Sequence, residues 1–270
     1  MKSGYPLVSV LFITYKRVEL LERSFRAFLD NTDYPNLETV IADDGSGAEI
    51  QNRIRTLPAD VFALAPKNRG LGANNNNGLR HCSGKYILMI QDDCLCMGPR
   101  DYLKNTIQVM EANPAVGIVN YSGAPHQPDM SRALPGSDEP CYVMTRPQMD
   151  GKTQHFLYTD QPHVVSRQAL EHVGYYVELR DMEQCEQDYN QRWIEQGRFQ
   201  TAVFPAYYRR LFIHEGEEES FRTTRFRHKV DSFLMPIAIF LKQHFHPLYR
   251  LGRQVVRTTV AALEKLRIVR

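Results

Sequence analysis

The sequence predicts an α/β fold, a doubly wound sheet with helices packed on it. Two observations carry that reading: strand-like runs rich in β-branched and apolar residues alternate with segments of helical spacing through the first 120 residues, and paired acids stand at the ends of two of those runs. In such sheets ligands bind beyond the carboxyl ends of the strands, which is where the acids fall.

LVSVLFITY (7–15) reads as a buried first strand, and VELLERSFRAFLDNT follows with Leu21, Phe25 and Phe28 or Leu29 on one side of a helix. LETVIADD (37–44) is a second strand, AEIQNRIRTLP a second helix and VFALAP (61–66) a third, short strand. NRGLGANNNNGLRHC supplies a loop and a helix before YILMIQDD, the next strand. DYLKNTIQVMEANP (101–114) is a helix stopped by Pro114, and VGIVNY (116–121) another strand. Residues 122–162 scatter Pro, Gly, Ser and Asp and read as a long excursion carrying a small hairpin; long ordered loops of this kind are commonly functional. EQDYNQRWIEQGRFQTAVFP then reads as a helix, a turn at Gly197 and a strand up to Pro205.

The 270 residues are 43% hydrophobic and 24% charged, ordinary for a globular protein with a full core. The net charge of +2 hides an asymmetry: residues 222–270 hold 11 Lys/Arg against 2 Asp/Glu, which leaves the body acidic and gives no reason to expect a nucleic acid partner. In that tail, from about Phe221, Val230, Phe233, Leu234, Ile237 and Leu241 lie at helical spacing among basic residues. Packing on the body or on a second protomer is one reading, and a peripheral membrane helix pair suited to a lipid-linked acceptor is the other. Neither a signal peptide nor an apolar run of about 18 residues is visible, so the expected location is the cytoplasm, with membrane contact at most peripheral to its inner face. Five cysteines (Cys82, Cys94, Cys96, Cys141 and Cys185) lack zinc-ligand spacing and are expected to be buried thiols.

Asp92 and Asp93 pose the chemical question. Burying two adjacent carboxylates costs several kcal/mol unless a positive charge meets them, and the expected partner is a cation absent from the sequence. Solvated loop residues, or a cap for the helix near Asp101, are the alternative, and Asp43-Asp44 at the end of a second strand argues against it. One acid at such an edge can reach a base or ribose. A second can hold Mg²⁺ or Mn²⁺, whose hard character favours oxygen ligands and substrate phosphates.

Taken in order, VSVLFITYKR, VIADDGSG, NRGLGANNNNGL, YILMIQDD, VVSRQALEHVG and EQDYNQRWIEQG resemble the family 2 inverting glycosyltransferases of the GT-A fold, over about residues 6–215. The resemblance implies a GT-A domain over 1–220, with a nucleotide-binding half to about 121 and an acceptor half over 122–220, followed by a helical tail. It implies that a sugar, a hexosyl or deoxyhexosyl group, moves from a nucleoside diphosphate, UDP or dTDP favoured, to a hydroxyl of a glycan, lipid-linked or other acceptor. Bacterial surface polysaccharide or glycoconjugate synthesis is the setting it suggests.

By the same resemblance Asp44, with Asp43 beside it, meets the base, and Ile13, Thr14 and Tyr15 line the nucleotide pocket. Asp92 faces the ribose or sugar, and Asp93 ligates a divalent Mn²⁺ or Mg²⁺ with His214 as a second candidate ligand. The family's first acid is Gln91 here. Asn68, Arg69, Asn75 and Asn76 belong to the phosphate-side stretch, where Asn75 replaces an arginine common in relatives. Glu186 stands at the general-base position, since inversion by direct displacement needs a carboxylate to take the acceptor hydroxyl's proton; Asp181 and Glu183 are rivals if the register slips. Asp160, His163, Asp188 and Trp193 are the acceptor-side candidates. Two other readings stand beside this one. A nucleotidyltransferase would want a glycine-rich phosphate loop that Thr14-Tyr15-Lys16-Arg17 lacks, and an inactive glycan-binding relative would account for Gln91, Asn75 and Cys185.

Overall fold

The computed structural model describes residues 4–121, 129, 131–144, 157–179, 181–207 and 210–215. The basic tail, with the readings made of it, and His155 and Arg209 lie outside these residues.

The alternating pattern resolves into strands β1 (Val8–Thr14), β2 (Leu37–Asp43), β3 (Val61–Leu64) and β4 (Tyr86–Gln91), connected by helices α1 (Val18–Asn31), α2 (Ala48–Ile54) and α3 (Leu71–His81). Further along come β5 (Cys94–Cys96), α4 (Tyr102–Ala112), β6 (Val116–Asn120), β7 (Tyr142–Val143), β8 (His163–Ser166), α5 (Arg167–Val173), α6 (Met182–Glu195), β9 (Gln200–Val203) and β10 (Phe212–His214). Eight strands form one mixed sheet in the order β3-β2-β1-β4-β8-β6-β9-β7, and β5 pairs with β10 in a separate antiparallel ribbon. The expected hairpin within the excursion is not formed by β7, which pairs antiparallel with β9 instead.

Register sets the site. β1 pairs in parallel with both β2 and β4, with Thr14 opposite Asp43 and Ile13 opposite Gln91. The three chains therefore end level, and the residues that follow them, Asp44, Asp92 and Asp93, emerge along one edge. β8 runs antiparallel between β4 and β6, so its first residue, His163, stands at that same edge opposite Met89 and Asn120. This reversal is not legible in the hydropathy, because the short run HVVS carries no mark of strand direction.

Both faces are covered. On one, Phe12 packs against Phe25 and Phe28 of α1, with ring centroids 5.0 and 5.7 Å apart, in a cluster that also takes in Leu21, Ile41, Leu88 and Ile90. On the other, Leu11, Val40, Ile87 and Val165 meet α3, α5 and α6. Helix α3 is squeezed between the sheet and α6 at two glycines. A β-carbon on Gly78 would lie 2.5 Å from Leu11 Cδ1 and 2.9 Å from Ala42 Cβ, and one on Gly72 would lie 2.4 Å from the Val177 carbonyl oxygen. The close approach explains Gly78 in the helix interior, where glycine otherwise costs about 1 kcal/mol relative to alanine. All five cysteines are buried and unbridged, as expected.

Candidate active site

Thr14, the last residue of β1, ties the two acidic ends together. Its carbonyl accepts from the Asp44 amide at 3.2 Å, and its hydroxyl donates to Asp92 Oδ2 at 2.8 Å, while the Asp92 amide donates to the Ile13 carbonyl at 3.0 Å. Ile13 and Thr14 thus act through backbone and hydroxyl as parts of the rim, and Tyr15 beyond them is 37% exposed.

The β2 acids are held by local donors. Asp43 is fully buried and accepts from the amides of Gly45 (3.1 Å) and Ser46 (2.9 Å), the Ser46 hydroxyl and Gln51 Nε2 (2.8 Å). Its oxygens shape the turn that follows β2 and so set the backbone beside Asp44. Asp44 accepts from the amides of Arg69 (2.9 Å) and Gly70 (2.8 Å), the entry to α3, and burial raises its pKa despite those donors. Arg69 turns its guanidinium to Glu178 and Asn68 is exposed, so this stretch contributes its amides to the site.

At the end of β4 the partner is a side chain. Arg17, at the start of α1, places Nη2 2.7 Å from Asp92 Oδ1 and Nη1 2.9 Å from Asp93 Oδ2, bridging both carboxylates. The chain thus supplies a positive partner of its own: a guanidinium fork spans two adjacent acids as a single ammonium cannot. Arg17 was missed because, read in one dimension, it is one of many surface basic residues; its place three positions past the end of β1, on the acidic edge, was the available signal. Burial first, and then repulsion from Asp93, push Asp92 up to about 6, while Arg17 and Thr14 pull it down.

The β5–β10 ribbon brings His214 beside Asp93. One donor atom each from Asp93, Cys94 and His214 lie within 4.8 Å of one another, with His214 Nδ1 3.7 Å from Asp93 Oδ1. Both ring nitrogens of His214 are buried and without a hydrogen-bond partner, an unusual state for an imidazole unless a ligand completes it. Cys94 donates to Asp93 Oδ1 at 3.7 Å, and burial beside that carboxylate pushes its thiol far up, so it remains a protonated neighbour. A carboxylate and an imidazole, with substrate oxygens, make a donor set that fits Mn²⁺ or Mg²⁺.

Across the edge, Glu186 in the first turns of α6 accepts from the Asp160 amide at 3.0 Å. Its rivals are engaged elsewhere: Asp181 caps α6 through the Gln184 amide, and Glu183 accepts from Gln187 on the exposed face. Asp160 lies between Glu186 and β4, its carbonyl accepting from Gln91 and its carboxylate from the Tyr158 hydroxyl; burial and the nearby Glu186 push its pKa up to about 7.

Of the other acceptor candidates, Trp193 is 1% exposed, its indole donating to Thr201 Oγ1 at 2.8 Å, so it is a core residue. Buried His163 donates through Nδ1 to the Gln161 carbonyl, burial lowers its pKa to about 4, and it packs edge-on to Tyr158. Asp188 pairs with Arg192, which braces α6 on the Val173 and Tyr175 carbonyls. Asn76 clamps the backbone of Tyr176 in both directions, a structural duty. Each of these side chains has a partner within the packed body, which spacing does not encode.

A mixed sheet with acids at the ends of β2 and β4 and a carboxylate facing them from α6 is the arrangement of a GT-A glycosyltransferase. The chain matches the family model "Glycosyl transferase family 2" over residues 9–174, and it belongs to that family. Among curated relatives, a GalNAc(5)-diNAcBac-PP-undecaprenol beta-1,3-glucosyltransferase of Campylobacter jejuni is 30% identical over 93 residues, which take in 33% of this chain and 30% of the relative. A glycosyltransferase GlyA of Streptococcus pneumoniae is 25% identical over 118 residues, 42% of this chain and 16% of that protein. Among solved structures, a mannosyltransferase PcManGT from Pyrobaculum calidifontis, in complex with GDP-Man and Mn²⁺, superposes with a TM-score of 0.52 at 21% identity, covering 87% of this chain and 65% of that one. S. aureus TarS (1–349) gives 0.54 at 17%, covering 81% and 63%. These likenesses establish the fold; the chain spans less than two thirds of each of these proteins.

Proposed function

We propose that the chain is a metal-assisted, inverting glycosyltransferase that moves a hexosyl or deoxyhexosyl group from a nucleoside diphosphate sugar to a hydroxyl acceptor. The observation that carries the reading is the link between two unlike acidic sites: Glu186 holds the Asp160 amide, and the Asp160 carbonyl accepts from Gln91, the residue before Asp92 and Asp93.

The nucleotide end is supported by Asp44 and Thr14 at the rim. Asp93 and His214 would hold the divalent ion, which when bound supplies positive charge to the departing diphosphate. Glu186 accepts the proton of the acceptor hydroxyl as its oxygen bonds to the anomeric carbon, and the bond from that carbon to the diphosphate oxygen breaks on the opposite face. The Asp160 amide fixes one oxygen of Glu186, so the other is presented for the proton. Arg17 neutralises Asp92 and Asp93 before substrate arrives.

The compact unit Met1–Glu215 supports a transferase domain of about 220 residues with the basic tail appended. The polyprenyl diphosphate in the name of the Campylobacter relative supports a lipid-linked glycan acceptor in surface glycoconjugate synthesis, with the tail at the inner face of a membrane. Among the described residues no helix is long and apolar enough to cross one. The test is a thermal-shift screen of UDP-, GDP- and dTDP-sugars with and without Mn²⁺. A metal-dependent shift with one donor class supports the reading, and no shift with any of them removes it.

A further inference from the structure

We propose that Asn75 and Asp160 form the pocket for the transferred sugar and select one presenting hydroxyl or amino groups there, to the exclusion of a uronic acid. The inference rests on the donor class proposed above and deepens it.

Asn75 projects from α3 and is 2% exposed. Its Nδ2 reaches Asp160 Oδ1 at 3.5 Å, while its own Oδ1 is buried with no hydrogen-bond partner. Asp160 is fixed on several sides: its amide donates to Glu186, its carbonyl accepts from Gln91, and its Oδ1 accepts from Tyr158, whose hydroxyl is bonded in turn to that of Tyr176. Its Oδ2 is nevertheless buried and unpartnered. Two rigidly held oxygens, on side chains in contact, are thus left without donors.

An orphaned buried oxygen costs about 1–3 kcal/mol, and a native chain keeps two together where a ligand completes them. The location names the ligand. Gln91 immediately precedes Asp92 on β4 and Glu186 is the proposed base, so the pocket lies between the diphosphate side and the point of attack. Asn75 Oδ1 needs a donor, as does Asp160 Oδ2 when ionised, and hydroxyl and amino groups are donors. A carboxylate brings acceptors only, and it would meet the charge of Glu186 and of Asp160 when ionised; among the described residues no Lys or Arg pairs with either.

Calorimetry with Mn²⁺ tests this on the full chain, first with bare UDP, GDP and dTDP and then with matched pairs: UDP-glucose with UDP-glucuronate, and GDP-mannose with GDP-mannuronate. The wild type is expected to bind the hexosyl member at least ~10-fold more tightly than the uronosyl one, and Asp160→Asn to narrow that gap. Asn75→Leu and Asp160→Asn should each weaken the hexosyl nucleotide by ~10-fold or more with bare-nucleotide affinity within about twofold. Asn75→Ser, which adds no bulk, stands in for the leucine variant if that one does not fold. Equal binding of the two sugars by the wild type, or equal loss of bare and sugar-bearing nucleotide in the variants, overturns the pocket. Failure of every bare nucleotide to bind is a separate result that removes the donor class itself, and the pocket with it.

Discussion

Asp43-Asp44 and Asp92-Asp93 look alike in the sequence and sit at corresponding ends of neighbouring strands, yet they are neutralised by different means. The β2 pair is met by amides of the chain itself, in the Gly45-Ser46 turn and at the entry to α3. The β4 pair is met by Arg17, a long side chain that is 47% exposed. Amides cannot leave without unfolding the turn, whereas a guanidinium on a flexible stem can be exchanged for another cation. One acidic pair is held by fixed backbone donors and the other is a socket for an exchangeable charge.

The largest test of that division is across the cleft. Glu186→Gln should leave donor binding within about twofold and lower transfer by roughly 10²- to 10⁴-fold, read by single-turnover assay beside calorimetry; normal turnover would put the base elsewhere. Asp93→Ala should abolish the Mn²⁺ dependence of nucleoside diphosphate binding, and unchanged metal-dependent binding would remove Asp93 from the metal site. Arg17→Ala sharpens the comparison. It strands two buried carboxylates, so the melting temperature in metal-free buffer should fall by the equivalent of about 1–2 kcal/mol, discounted for exposure of the arginine. Mn²⁺ should raise the melting point of this variant more than that of the wild type, and an equal rise in both would mean that Arg17 and the ion do not compensate the same charge. Asp44→Asn should cost about 1 kcal/mol by weakening one amide contact, independently of metal.

The smallest effect concerns pH. Burial, and after it the nearby Glu186, push the Asp160 carboxyl up to about 7 from the ordinary aspartate range. A raised carboxylate stabilises the fold fully below its unfolded value, and that contribution is lost as pH climbs through 7. Asp160→Asn, locked in a neutral form, should therefore gain melting temperature relative to the wild type between pH 5 and pH 8, by the equivalent of on the order of 2 kcal/mol or less. A difference that is flat or falls over that range would place the ionised form in a better-solvated environment.

Legibility followed the same division. β1 to β4 and their helices announce themselves because apolar period and strand length agree over contiguous residues, and Asp44, Asp92 and Asp93 were visible as acids where a buried run stops. The pairing of β8 in reverse between β4 and β6 was not, since a four-residue strand around two valines carries no direction. Nor was the difference between Asp43 and Asp44, which depends on whether Ser46 and Gln51 or the α3 amides point at a given oxygen. The surroundings of Trp193 and Asp188 were hidden for a related reason: α6 turns Glu186 toward Asp160 while Trp193 is buried and Asp188 pairs with Arg192, and a change of helical phase separates these fates. Arg17 was hidden by abundance, as one of 33 basic residues.

Gly72 and Gly78 have a consequence for the span between nucleotide and base. With no β-carbon at either place, α3 rests low on β1 and β2 and tight against the stretch leading into α6, so one helix sets both the height of Asn75 and its separation from Glu186. Alanine at Gly78 would lift that helix off Leu11 and Ala42, tilting two halves of a reaction apart from beneath, and the damage would be felt by substrate far from the added methyl group.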